Sequence, residues 1–224
     1  MRSRAIYAAR AIAWLAIAIA IPVVGTSLAS RLGGLSGGGL AVVGSTWLWF
    51  WLPRSAHATF DAGELAVARR RYRMLAAIAV SPARERSARL SIAGCAVAAG
   101  ALDDADRLLA ALDDRALDAS ERTVWLNNRA CVTLARGADP AHALALIDEA
   151  SALRPDVAAV QHTRGMALIA VGRVDEAIAV LDGMRTAGEL PPRLDAERCR
   201  ELARAWELKG ETAYAADYRM RAAR

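Results

Sequence analysis

One lysine, Lys209, stands against 28 arginines in this 224-residue chain. So lopsided a choice of basic residue is the codon signature of a GC-rich genome and points to a bacterial source. Aromatic residues are scarce as well, at 5% of a chain that is 55% hydrophobic. An alanine-, leucine- and valine-rich sequence with few rings favours helix over sheet. The three cysteines, Cys95, Cys131 and Cys199, are widely spaced and cannot all pair. That excludes a disulfide-stapled fold and suits free thiols in a reducing compartment. The three histidines, His57, His142 and His162, are far apart and have no cysteine or carboxylate at metal-ligand spacing, so no metal site is expected. Phosphate-loop and dinucleotide fingerprints are missing. No catalytic residue and no cofactor is assigned, and the chain is expected not to be an enzyme. The neighbouring carboxylates Asp103–Asp104 and Asp113–Asp114 could in principle act as acid–base pairs, but their places at helix ends favour capping.

Acid is missing from the first 60 residues, which hold five arginines and no Asp or Glu. Residues 61–90 hold seven arginines against three acids, and all the positive excess lies in these first 90 residues. Residues 91–155 have six bases and ten acids, and residues 156–224 have eleven of each. Positive charge confined to one end beside apolar runs fits membrane topology. The remainder offers no basic stripe, so nucleic acid is not an expected partner.

Two long stretches lack charge. Between Arg10 and Arg31 lie 20 uncharged residues, Ala11–Ser30, enough to span roughly 30 Å as a helix. Pro22 kinks such a helix without excluding it. A signal peptide is the rival reading, with Arg2, Arg4 and Arg10 as its positive end and Ser27 and Ala29 as small residues at cleavage spacing. The run is longer than a usual signal core and a second apolar run follows at once, which favours a retained helix. That second run holds 22 uncharged residues between Arg31 and Arg54, glycine-rich at its start and tryptophan-rich at its end. A linker would be polar, and "LAVVGSTWLWFWL" is not. The pair is expected to form a transmembrane helical hairpin, helices at about 11–30 and 35–52, with Tyr7, Trp14, Trp47, Trp49, Phe50 and Trp51 at one interface. Arginines flanking the shared ends orient that side to the cytoplasm.

The rest of the chain repeats. Glycines recur at 63, 100, 137, 172 and 210, spaced by 37, 37, 35 and 38 residues. Each is followed five or six residues later by an alanine: Ala68, Ala105, Ala143, Ala177 and Ala215. One turn on stands a large apolar residue, Tyr72, Leu109, Ile147 or Leu181, with Arg219 in the last unit. Glycine closes a helix in the left-handed conformation, acids just beyond it suit the next helix N-terminus, and alanine lets two helices pack closely. "RGMALIAVGRVDEAIAVLDGM", with Gly165, Leu168, Gly172, Ala177 and Leu181, is the best-formed unit. The run containing Asn128, Ala130, Gly137, Ala143, Ile147, Ala150 and Pro155 is next, with one extra residue in its turn. Ala93, Gly100, Ala105 and Leu109 make a third unit, and Ala203, Trp206, Gly210 and Ala215 a fourth. This arrangement resembles the tetratricopeptide repeat (TPR) family over about residues 84–222.

The expected architecture is therefore all-α: a membrane hairpin over 1–54, a juxtamembrane capping helix over 55–82, and an α-solenoid of about four TPR-like helix pairs over 83–224. The resemblance implies a groove lined by the first helix of each pair that binds a protein or peptide partner. Mapped onto this chain, that face includes Leu90, Asn127, Cys131, His162, Met166, Arg200 and Arg204. It passes from apolar to basic, which suits an extended ligand with an acidic end. Leu90 and Gly94 stand where chaperone-binding members carry clamp residues, so that activity is not carried over. In "ARRRYRM", Arg69, Arg70, Arg71 and Arg73 could meet anionic lipid headgroups, or serve only topology. The expected function is a membrane-anchored protein-interaction scaffold in a bacterial inner membrane, multi-pass with both termini cytoplasmic. The alternative is an exported or singly anchored envelope-assembly or secretion accessory.

Overall fold

In the computed structural model, residues 5–10, 12–13, 50–186 and 189–223 are described. Residues 5–10 are helical. Ten helices follow: α1 (Leu52–Asp61), α2 (Leu65–Ile78), α3 (Pro82–Ala98), α4 (Leu102–Ala110), α5 (Ala119–Arg136), α6 (Pro140–Leu153), α7 (Ala158–Ala170), α8 (Val174–Thr186), α9 (Pro192–Leu208) and α10 (Thr212–Ala222). Among the described residues there is no strand. They divide into two compact units, with the main boundary after Ile92, inside α3.

The turns explain why helices come in pairs. Gly63, Gly100, Gly137, Gly172 and Gly210 all have φ between 65° and 80°, and no non-glycine residue described here has positive φ. In four of these turns one residue both ends a helix and starts the next. The Ala101 N–H donates back to the Ala96 carbonyl, while its own carbonyl accepts from Ala105 N–H. Glu64, Arg173 and Glu211 do the same between Thr59 and Ala68, Leu168 and Ala177, and Trp206 and Ala215. This backward bond over five residues satisfies carbonyls that the closing helix would otherwise leave orphaned. It also fixes where the second helix begins, so the alanine always falls five residues after the glycine. At Gly137 the turn is one residue longer. There Asp139 receives Ala143 N–H on its carbonyl and caps His142 N–H with its side chain, and Pro140 opens α6.

All five alanines are completely buried, as are Leu109, Ile147 and Leu181 one turn further on. In the larger unit, Leu126, Ile147, Val160, Leu168, Leu181 and Leu202 form a continuous core, each at most 1% exposed. In the smaller unit Leu52, Ala56, Ala68, Tyr72 and Leu90 are buried. There Tyr7 and Arg10 of the N-terminal stretch bind Glu85 of α3 at 2.9 and 3.0 Å. Burial raises the Glu85 carboxyl, but the Tyr7 hydroxyl and the charges of Arg89 and Arg10 outweigh it and hold the carboxyl below its usual range.

The transmembrane hairpin is corrected. Among the described residues no helix is long and apolar enough to cross a membrane. The longest, α5, has 18 residues but carries Glu121, Arg122, Arg129 and Arg136. The multi-pass inner-membrane placement with cytoplasmic termini falls with the hairpin. The two apolar runs themselves, apart from residues 12–13 and 50–53, lie outside the described residues.

Candidate partner-binding face

Each residue on the expected face of the larger unit occupies one of two registers. Asn127, His162 and Arg200 stand ten residues before a turn glycine, and Cys131, Met166 and Arg204 stand six before it. Residues four apart share a helix face, so the two registers form one stripe on each of α5, α7 and α9. The helices carrying those stripes are neighbours, α5 against α7 and α7 against α9. Leu90 holds the same register on α3 but belongs to the smaller unit and is only 2% exposed.

Buried polar atoms lie on the stripe and, at Glu201, beside it. Asn127 Oδ1, His162 Nε2 and Glu201 Oε2 are buried and have no hydrogen-bond partner. Glu201 Oε2 does lie 3.9 Å from an Arg204 guanidinium nitrogen, near enough for attraction but too far for a hydrogen bond. Cys131 Sγ meets Thr163 Oγ1 at 3.4 Å, joining α5 to α7. The Thr163 hydroxyl also reaches the Ala159 carbonyl at 3.0 Å, and either Cys131 or Thr163 can be the donor in the contact between them. Arg200 is exposed and Met166 half-buried.

These groups influence one another. Burial pushes the His162 imidazole below its ordinary value, Glu197 opposes this, and Arg200 and Arg198 add to it. Burial raises the Glu201 carboxyl, with Arg204 and Arg200 opposing and Glu197 reinforcing. The Cys131 thiol is raised by burial, lowered in part by Thr163 and raised further by Glu197. The face thus presents an imidazole with weakened proton affinity, and a thiol and a carboxyl with enhanced proton affinity, beside the exposed Arg200 and Arg204. Nothing in this set pairs a base with an activated nucleophile; its chemistry is hydrogen bonding and charge recognition.

Sequence reasoning missed Glu197, Glu201 and Thr163. The spacing of Glu197, Glu201 and Arg204 at intervals of four and three was a readable sign of one charged helix face. Nothing in the sequence signalled that a carboxylate oxygen there would be enclosed. The carboxylate pairs lie elsewhere: Asp103 binds Arg136 at 2.7 Å, Asp104 binds Arg107 at 3.2 Å, and Asp113 caps the Arg115 N–H. Among the described residues no cluster of His, Cys, Asp and Glu could hold a metal ion.

The four arginines of α2 are not equivalent. Arg71 donates to the Ser55 carbonyl at 2.8 Å and Arg69 is half-buried, while Arg70 and Arg73 are exposed. The smaller unit also contains a cavity of about 270 Å³ lined by Pro53, His57, Tyr72, Leu75, Ala88 and Ser91 among others, with His57 Nδ1 hydrogen-bonded to the Tyr72 hydroxyl.

Helix pairs closed by left-handed glycines, and a polar stripe along their first helices, define an α-helical hairpin-repeat protein. No family model matches the chain, and no curated protein matches it. Among solved structures it is similar to the TPR-like repeats of a kinesin light chain from Podosopora anserina, at 20% identity and a TM-score of 0.48, over 76% of this chain and 91% of that one. It is also similar to MamA of MSR-1, at 20% identity and a TM-score of 0.42, over 77% of this chain and 92% of that one.

Proposed function

We propose that this chain is a non-enzymatic protein-interaction scaffold whose larger unit receives an extended polypeptide along α5, α7 and α9. The observation that carries the reading is the set of unpartnered buried atoms on those three helices, Asn127 Oδ1, His162 Nε2 and Glu201 Oε2. A buried polar group without a partner costs about 1–3 kcal/mol, a penalty that a ligand's N–H and hydroxyl groups would relieve. Arg200, exposed beside Glu201, gives the stripe a basic end suited to an acidic ligand residue.

Site-directed photocrosslinking of the full chain tests this. A photoreactive residue at Met166 or Arg204 should capture a polypeptide, whereas one at Ala145 or Glu149 on α6 should not. Equal capture from both sets of positions would sink the reading. Arg200→Ala should weaken capture more than Arg204→Ala, because Arg204 shares its charge with Glu201.

A further inference from the structure

The smaller unit is short of acid and rich in exposed apolar bulk. Its described residues hold nine arginines, at 10, 54, 69, 70, 71, 73, 84, 86 and 89, against Glu64 and Glu85. Glu85 is already engaged by Arg10 and Arg89. Eleven large apolar side chains are exposed among the described residues, and six of them, Ile6, Ile12, Phe50, Trp51, Val67 and Met74, belong to this unit.

The arrangement brings the two features together. Arg71 reaches the Ser55 carbonyl and His57 bonds Tyr72, so α1 and α2 lie side by side, running in opposite directions from the turn at Gly63. Trp51, one turn before Ser55, is therefore level with Met74, about one turn after Arg71. On α2, Val67, Arg70 and Met74 follow a helical stripe, and Arg73 stands beside it; all four are exposed. On the other helix, exposed Phe50, Trp51 and Arg54 occupy the first turn and the residues leading into it.

We propose that this α1–α2 face docks peripherally on an anionic lipid bilayer through Phe50, Trp51, Arg54, Arg70, Arg73 and Met74. It contacts a surface and does not pass through it. Aromatic rings beside arginines suit the headgroup layer, where a ring's apolar body and a guanidinium's charge are both satisfied. A nucleic acid would use the arginines but leave the apolar residues wet, so the lipid is the better fit. The inference is independent of the partner-binding stripe.

Sedimentation of the full chain with phosphatidylcholine vesicles, with and without phosphatidylglycerol, tests it. Anionic vesicles should bind in a salt-sensitive manner and neutral ones far less. Arg70→Glu with Arg73→Glu should lower binding to anionic vesicles by about tenfold or more. Phe50→Ser with Trp51→Ser should also weaken it. Arg70→Gln with Arg73→Gln, a milder pair, should lie between if the reversal disturbs folding. Equal binding to neutral vesicles, unchanged binding by both arginine pairs, or displacement of vesicles by an equimolar DNA duplex would overturn the proposal. Arg200→Ala should leave vesicle binding untouched, so this inference and the scaffold reading can fail separately.

Discussion

Gly165 and Leu181 meet across the α7–α8 pair with no room for a methyl group between them. A Cβ on Gly165 would lie 2.6 Å from both Cγ and Cδ2 of Leu181, a side chain with no exposed surface. Gly165→Ala should therefore destabilise the fold by about 1–3 kcal/mol despite alanine's better helix propensity, because Leu181 must leave its rotamer or push α8 away. Gly183, on α8, provides the control. A Cβ there meets nothing within 4 Å, so Gly183→Ala should stabilise by about 0.5–1 kcal/mol. Denaturant midpoints of the two variants should move in opposite directions; a shift of the same sign would refute the packing account.

Asp118 and Glu121 close a reciprocal cap at the start of α5. The Glu121 N–H donates to Asp118 Oδ1 at 2.8 Å, and the Asp118 N–H donates to Glu121 Oε2 at 3.1 Å. Asp118→Ala should cost about 1 kcal/mol, and Asp118→Asn much less, because an amide oxygen still accepts. Thermal unfolding of the two variants checks the ranking. Equal losses would mean that the acid's charge near the helix N-terminus, not the hydrogen bond, supplies the stability.

The turns are legible in the sequence because left-handed backbone selects glycine and a fixed backbone bond sets the distance to the buried alanine. Both are local rules that leave a mark at constant spacing. The stripe on α5, α7 and α9 is half legible. Its registers follow from the same spacing, but which atoms become enclosed, such as Glu201 Oε2, or which residues become buried, such as Leu90 in the smaller unit, does not. The membrane hairpin rested on run length, charge and aromatic placement. Those accompany spanning helices and do not by themselves produce one.

His162 and Glu201 give the larger unit opposing pH dependences. The His162 value is depressed below its ordinary 6.5, so the unfolded chain binds more protons as pH falls. Its contribution to stability is fully present above pH 6.5 and is lost as pH falls through the folded value. Glu201 is raised above its ordinary 4.5, so its contribution is present below pH 4.5 and is lost as pH rises through the folded value. His162→Gln should flatten the loss of stability on acidification, and Glu201→Gln should stabilise at neutral pH. Denaturation profiles collected across pH distinguish them; a Glu201→Gln variant less stable than wild type at neutral pH would contradict the assignment.

Arg198 raises the question of whether a buried cation holds α8 to α9 by charge or by its stem. It is only 2% exposed, yet Nε and Nη2 both lie 2.8 Å from Asp195 Oδ1, and Nη1 reaches the Leu181 carbonyl at 3.4 Å. Asp195 and Asp182, its anionic neighbours, have side chains 45% and 47% exposed. Removing the arginine therefore strands no buried charge, because water can solvate both carboxylates. What is lost is the packing of the arginine stem, which fills space between the helices. Arg198→Met keeps most of that volume and should cost less than about 1.5 kcal/mol, since replacing a buried ion pair by an apolar side chain of similar size is often near neutral. Arg198→Ala leaves a cavity and should cost about 2–4 kcal/mol. Equal losses in urea unfolding of the two variants would show that the guanidinium, not its stem, joins the helices.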